Sequence, residues 1–252
     1  MIVAAHQPHY LPWLGYLDKL AKADLFVVMD DLQFEAQNFQ NRQRVRLPDG
    51  GAWLTVPLEH GTQTDRIIDK RIDNSGNARQ HWQRRTWLTL ETNYRRAPYW
   101  SEYADELREV YTRTWTSLVE LDLHMLGLAK RWLGIDTEIM RSSHLGLGGA
   151  KTDRIIEMCR RVGARAYLSG GGGSTGYLDV EAIGRAGFGV VWQSFEHPRY
   201  AQRYERGFDK NLGFLDLVLN CGPKSRDILF PASHPIHVAP RIEIDEVAAV
   251  AA

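Results

Sequence analysis

The order of elements at the start of the chain constrains the fold more than any other feature. Ile2-Val3-Ala4-Ala5 reads as a short buried strand, after which Pro8 and Pro12 break regular structure. Leu14, Leu17, Leu20 and Ala21 recur at helical spacing, predicting a helix over 14–23. Residues 24–29 follow as an apolar run ending in Asp30-Asp31. Strand, loop, helix, strand is the opening of a βαβ unit, and strands joined by a helix run parallel.

The same alternation returns late in the chain. Residues 137–141 resemble a strand, 151–162 a helix stopped by Gly163, 165–169 a strand, 180–186 a short helix and 190–195 a strand. Residues 52–58 read as a further strand and 212–220 as a helix. Between the two blocks, residues 78–133 lack strand patterning. Trp82, Leu88, Tyr94, Tyr103, Leu107, Tyr111, Leu118, Leu121, Met125 and Leu128 recur there at roughly helical intervals, predicting two or three helices interrupted near Pro98. The expected fold is α/β, with a mostly parallel, open, Rossmann-like sheet and a helical insertion at about residues 78–133. Residues 1–235 are expected to form one discontinuous domain, with 236–252 as a peripheral tail.

Composition removes several function classes. Thirty-one basic and 31 acidic side chains give a formal net charge of zero, so a whole-domain basic footprint for nucleic acid is absent. Two cysteines, Cys159 and Cys221, are too few for a disulfide framework and fit a reducing compartment. No four-ligand Cys/His spacing points to zinc, and no metal is expected. No run of 18 apolar residues predicts a membrane span, and Met1-Ile2-Val3-Ala4-Ala5 lacks the basic and apolar regions of a signal peptide. The expectation is a cytoplasmic protein.

Ligands of open α/β sheets bind outside the carboxyl ends of the strands, which is where the candidate residues concentrate. The first loop, His6-Gln7-Pro8-His9-Tyr10-Leu11-Pro12-Trp13, leaves the first strand directly. His6 offers an acid, base or ligand near neutrality, Gln7 an amide, and Tyr10 and Trp13 flat walls. Asp30 and Asp31 end the second strand, where they suit a hydroxyl or ammonium group, or simply a polar strand end. Asn41 and Arg42 suit an anion or a solvated loop. Gly146-x-Gly148-Gly149-Ala150-Lys151-Thr152 opens a helix, whose free N–H groups and Lys151 favour an anion. This is no P-loop, because Ala150 stands where the final Gly belongs. Tyr167-Leu168-Ser169 runs into four glycines from Gly170 and Gly171 onward, which lets a ligand approach the backbone. Ser169, Tyr177 and Asp179 supply hydrogen bonds there. His197 follows a late strand. Cys221, in Asn220-Cys221-Gly222-Pro223, is either a nucleophile or a buried structural thiol.

Read together, these segments resemble the WbqC-like family. The resemblance rests on His6-Gln7-Pro8, Tyr10-Leu11-Pro12-Trp13, Gly15-Tyr16, Asp30-Asp31-x-Gln33, Asn41-Arg42, Trp53-Leu54-Thr55-Val56-Pro57, Tyr167-Leu168-Ser169-Gly170, Tyr177-Leu178, His197-Pro198 and Asn220-Cys221-Gly222-Pro223. It implies bacterial surface-polysaccharide or natural-product biosynthesis, and within it acyl or aminoacyl transfer to an amine such as an amino sugar. In that scheme His6 is the general base, Asp30 or Asp31 orients the acceptor, the glycine loop holds an oxyanion and Cys221 is an optional covalent relay. The partners would be a small acceptor amine and an acyl or aminoacyl thioester on a carrier protein, with no further cofactor. Oligomeric state is left unassigned. One alternative is a nucleotide-using ligase or nucleotidyltransferase of class I synthetase-like architecture. Pro8 breaks its His-x-Gly-His signature, and no Lys-Met-Ser-Lys-Ser run occurs. Another is a non-catalytic binding protein of a glycan pathway.

Overall fold

The computed structural model describes residues 1–62, 64–75, 78–171, 176, 178–204 and 207–231. Its centre is a five-stranded sheet built from β1 (Ile2–His6), β2 (Leu25–Val28), β5 (Glu138–Arg141), β6 (Ala166–Ser169) and β7 (Gly189–Trp192). Every pairing in it is parallel, in the order β5-β2-β1-β6-β7. Sheets covered on both faces carry continuous apolar strands, and all four β2 residues are buried.

Side chains alternate between the two faces. Ala4, Phe26, Val28, Leu168 and Val191 face one cluster, while Val3, Ala5, Leu25, Val27, Tyr167 and Val190 face the other. The first cluster is closed by α1 (Leu14–Ala21) and by three helices, α2 (Ala78–Tyr94), α3 (Trp100–Thr112) and α4 (Leu118–Leu133). These three occupy the stretch where a helical insertion was expected. Beyond them come α5 (Ser142–Leu145) and α6 (Lys151–Val162), and then α7 (Val180–Arg185). Ile155, Ile156, Met158 and Cys159 of α6 and Ile183 of α7 close the second face. No helix among the described residues is long and apolar enough to cross a membrane.

The segment that starts at Arg42 differs from the loop offered for it by the sequence. Arg42–Leu47 is a strand, β3, paired antiparallel with β4 (Gly50–Thr55) in a separate hairpin. The alternation was masked by charge, because Arg46 is buried at 1% exposure, where it pairs with Asp209. The hairpin pins the first loop: Tyr10 N donates to Phe39 O, Gly213 N to Arg44 O and Phe214 N to Pro12 O. Phe214 begins α8 (Phe214–Cys221), and α9 (Ser225–Leu229) follows.

Candidate active site

Counted in chain order, the parallel strands stand 3-2-1-4-5, so the winding reverses between β1 and β6. Such a switch point opens a crevice at the carboxyl ends of the strands. The register shows it. The β1–β6 ladder stops at Ala4↔Leu168, while β1 continues against β2 to His6↔Val28 and β6 against β7 to Ser169↔Trp192. The Ala5 carbonyl, released from the ladder with β6, accepts instead from Lys19 Nζ at 2.8 Å. Lys19 is 4% exposed, and its ammonium lies 5.6 Å from the Tyr167 ring centroid. Burial pulls its pKa down to about 8. A charged group is thus inserted where the two central strands part. Sequence reading missed it, since Lys19 looks like the solvent face of an amphipathic helix; its neighbour Asp18 is buried too.

His6 stands on the β1 side of this crevice, half-buried. Its Nδ1–H donates to the Gln7 carbonyl at 3.2 Å, leaving Nε2 as the basic nitrogen. Burial, helped by the charge of Lys19, lowers its pKa to about 3 despite the backbone bond. The imidazole is therefore neutral across the physiological range. On the β6 side stand Ser169, which is buried, and Gly170. Gln193 bridges toward α1, donating from Nε2 to Gly15 O at 2.8 Å and to Asp18 Oδ2 at 2.7 Å. A Cβ on Gly171 would stand 3.4 Å from the Gln193 carbonyl, so the backbones run close here.

The rest of the first loop is held from several sides. Gln7 Oε1 accepts from the buried Gln40 at 2.9 Å, and Gln7 Nε2 donates to Glu35 at 3.3 Å. Tyr10 is fully buried, its hydroxyl 2.7 Å from that of Tyr111 on α3. Leu11 is held at φ 47°, a region costly to a side-chain-bearing residue. Trp13 packs edge-on against Phe195 and lies over Gly15, where any Cβ would overlap its indole. Helix propensity alone would have Gly15→Ala stabilise α1 by about 1 kcal/mol. The expected outcome is the reverse, a lower melting temperature with altered tryptophan fluorescence.

Asp30 and Asp31 reach the same edge but are already engaged. Asp30 is fully buried and accepts from Arg141 Nε at 2.6 Å, Ser142 Oγ at 3.2 Å, Ser143 N at 3.0 Å and Ser143 Oγ at 2.8 Å. Burial alone would raise its pKa, but these bonds and the Arg141 charge outweigh it and leave the pKa lowered. Asp31 pairs with Arg154 at 2.5 Å and accepts from Ser142. The pair clamps β2 to β5, α5 and α6.

The WbqC-like protein family matches residues 7–228 of this chain. The chain belongs to that family. It is also 31% identical over 229 residues to the uncharacterized protein Rv1507c of Mycobacterium tuberculosis, an overlap of 90% of this chain and 96% of that one. No solved structure matches.

The remaining expected residues of this WbqC-like chain fall in several places. Lys151 opens α6 at φ 50° and is exposed. The nearby Gly148 amide already donates to Glu157 at 2.7 Å, so the helix start carries its own anion. Asp179 caps α7, accepting from Ala182 N at 2.9 Å, and its own amide donates to Thr152 at 2.9 Å. Asn41 donates to Val56 O at 2.9 Å, holding the end of the hairpin. Arg42 stacks on Trp53 at 4.3 Å. His197 uses both ring nitrogens: Nδ1 donates to Pro198 O at 2.9 Å, and Nε2 accepts from Asn211 N at 3.2 Å. Cys221 ends α8, where burial, then the charge of Asp216, pushes the thiol pKa up. A raised pKa disfavours the thiolate a nucleophile needs. Tyr177 and residues 172–175 lie outside the described residues, as does the tail 236–252.

Proposed function

We propose that this chain is a transferase that joins an activated acyl or aminoacyl group to an amine acceptor. The observation that carries the reading is the neutral His6 beside the buried Lys19, at the point where the sheet parts. An amine nucleophile has to lose a proton as it forms its new bond, and His6, neutral with an open Nε2, can take it transiently, as a weaker base than a free histidine because burial and Lys19 lower its pKa to about 3. In the proposed step the amine nitrogen attacks the thioester carbonyl and the carbonyl electrons move onto oxygen. His6 Nε2 takes the N–H proton. The intermediate then collapses, the C–S bond breaks, and the thiolate leaves with the proton from His6. Lys19 supplies a fixed positive charge for the developing oxyanion, effective because the site is desolvated. The same charge disfavours a lasting imidazolium, so His6 hands its proton on rather than storing it. Asp30 and Asp31 act in this scheme through the clamp that holds the edge, and Cys221 is not required.

The test is a panel of acyl and aminoacyl thioesters, free and carrier-bound, incubated with amino sugars and simple amines and followed by mass spectrometry. Amide product is expected with the intact chain and greatly reduced with His6→Asn. A broad panel that yields no amide would overturn the reading.

A further inference from the structure

Behind the first loop lies a group of buried polar atoms without partners. His9 Nδ1, Tyr16 Oη and both carboxylate oxygens of Asp122 meet no hydrogen-bond partner. Their side chains are 5%, 2% and 1% exposed. They come from three elements, the first loop, α1 and α4, whose apolar residues Tyr10, Leu14, Leu121 and Met125 share one core cluster. The ring centroids of His9 and Tyr16 are 5.0 Å apart, and Asp122 is close enough for its charge to act on the Tyr16 and Tyr10 hydroxyls. Tyr10 and Tyr111, bonded to each other, stand beside them. His6 borders the group, its ring centroid 4.6 Å from His9 and 5.0 Å from Tyr16. Since His6 alone is half-buried, the group lies nearest solvent on the crevice side.

An unsatisfied buried polar atom is costly, and a carboxyl group with both oxygens unpaired is more so. Native interiors carry few such atoms, and those that persist call for an occupant or a function. We infer that His9, Tyr16 and Asp122 form a receptor for a primary ammonium group. The chemistry of the set selects this ligand. An ammonium carries three N–H donors and no acceptor. The Tyr16 hydroxyl oxygen and the Asp122 carboxyl each present an unused acceptor, His9 Nδ1 does so in the tautomer with its proton on Nε2, and Asp122 can supply the countercharge. Alkali and alkaline-earth ions favour shells made of oxygen, which an imidazole nitrogen fits poorly. No group of three His, Cys, Asp or Glu suited to a metal occurs among the described residues.

The position beside His6 names a substrate class. Within the transferase reading, on which this step rests, the donor is an aminoacyl rather than a plain acyl group. Its α-ammonium enters the receptor while its carbonyl lies at His6. The ammonium binding itself does not depend on that reading. Burial pushes the Asp122 carboxyl pKa well above the usual carboxylate value, with Tyr10 and Tyr16 as its titratable neighbours. A bound cation favours the carboxylate and lowers that pKa again, so proton release should accompany binding.

Calorimetry on the full chain tests this with glycinamide and its uncharged counterpart acetamide. Glycinamide is expected to bind with release of a proton, read as a dependence of the heat on the ionisation enthalpy of the buffer, and acetamide is not. Asp122→Asn is expected to weaken glycinamide about tenfold or more, and Tyr16→Phe several-fold, as for loss of a charged and a neutral hydrogen bond. Asp122→Asn is nearly isosteric, and its melting temperature should be equal to or above that of the parent. Equal binding of acetamide, unchanged binding in Asp122→Asn, displacement by potassium but not sodium chloride, or no heat at all would each overturn the receptor. Aminoacyl thioester turnover is scored separately. Binding without any turnover would leave the receptor standing and remove the transferase; turnover of acyl thioesters without glycinamide binding would do the opposite.

Discussion

His6→Asn is expected to lower the turnover of an amine acceptor by about a hundredfold, the low end of the worth of a positioned general base, because its lowered pKa makes it a weak one. The melting temperature should move little, because the ring is half-buried and packs on His9 and Tyr16 without anchoring a network. The pH profile separates a base in this environment from an ordinary histidine. An unperturbed imidazole would impose an acid limb near its usual pKa. His6, held to about 3 by burial and Lys19, stays in its accepting form far below that. Once the ionisation of the acceptor is divided out, the rate should show no acid limb above about pH 5, well clear of that lowered value. An alkaline limb should appear near pH 8, where Lys19 loses its charge. Lys19→Met should remove that limb and lower the rate at neutral pH. An acid limb at the ordinary histidine value, or an alkaline limb that survives Lys19→Met, would contradict the assignment.

Much of this architecture is legible in the sequence, because parallel strands and amphipathic helices leave local patterns. The runs at residues 2–5 and 24–29 and the periodicity of 151–162 each announce an element, and each is found. Long-range pairing is not local, so the sheet order and its reversal between β1 and β6 cannot be read that way. The same limit explains the site. Asp30-Asp31 at a strand end reads alike as a ligand group or a clamp, and what decides is Arg141, Ser142, Ser143 and Arg154, more than 100 residues away in sequence. Tyr10 read as the wall of an open pocket until α3 brought Tyr111 to its hydroxyl. Lys19 sits on a helix buried on nearly every side, so a polar residue that looks solvent-facing is enclosed. A short helix enclosed by an insertion is where helical patterning misleads most, and here the proposed chemistry draws on it.

The second large effect concerns Asp30. Asp30→Ala is expected to destabilise the chain by about 3–5 kcal/mol, the cost of removing one partner of a buried ion pair. Its carboxylate is wholly enclosed, whereas the Arg141 side chain is 21% exposed and also bonded to Glu120, so the aspartate is the costlier partner to lose. Four hydrogen bonds end on this one carboxylate, and its loss would leave the Ser143 amide and hydroxyl without their acceptor. Urea unfolding should show a lower midpoint with an unchanged slope. Asp30→Asn should cost less, since the amide keeps an acceptor while giving up the charge. The sign with pH follows from the direction of the shift. The folded carboxyl has a lowered pKa, so its contribution is present above the ordinary carboxylate value and is lost as pH falls from there through the lowered folded one. The stability gap between the parent and Asp30→Ala should therefore close on acidification. A substrate-orienting aspartate would behave otherwise, because its removal would spare stability and raise KM. If Asp30→Ala unfolds at the parental urea concentration, Asp30 is no clamp, and the carboxyl edge of β2 returns to the substrate.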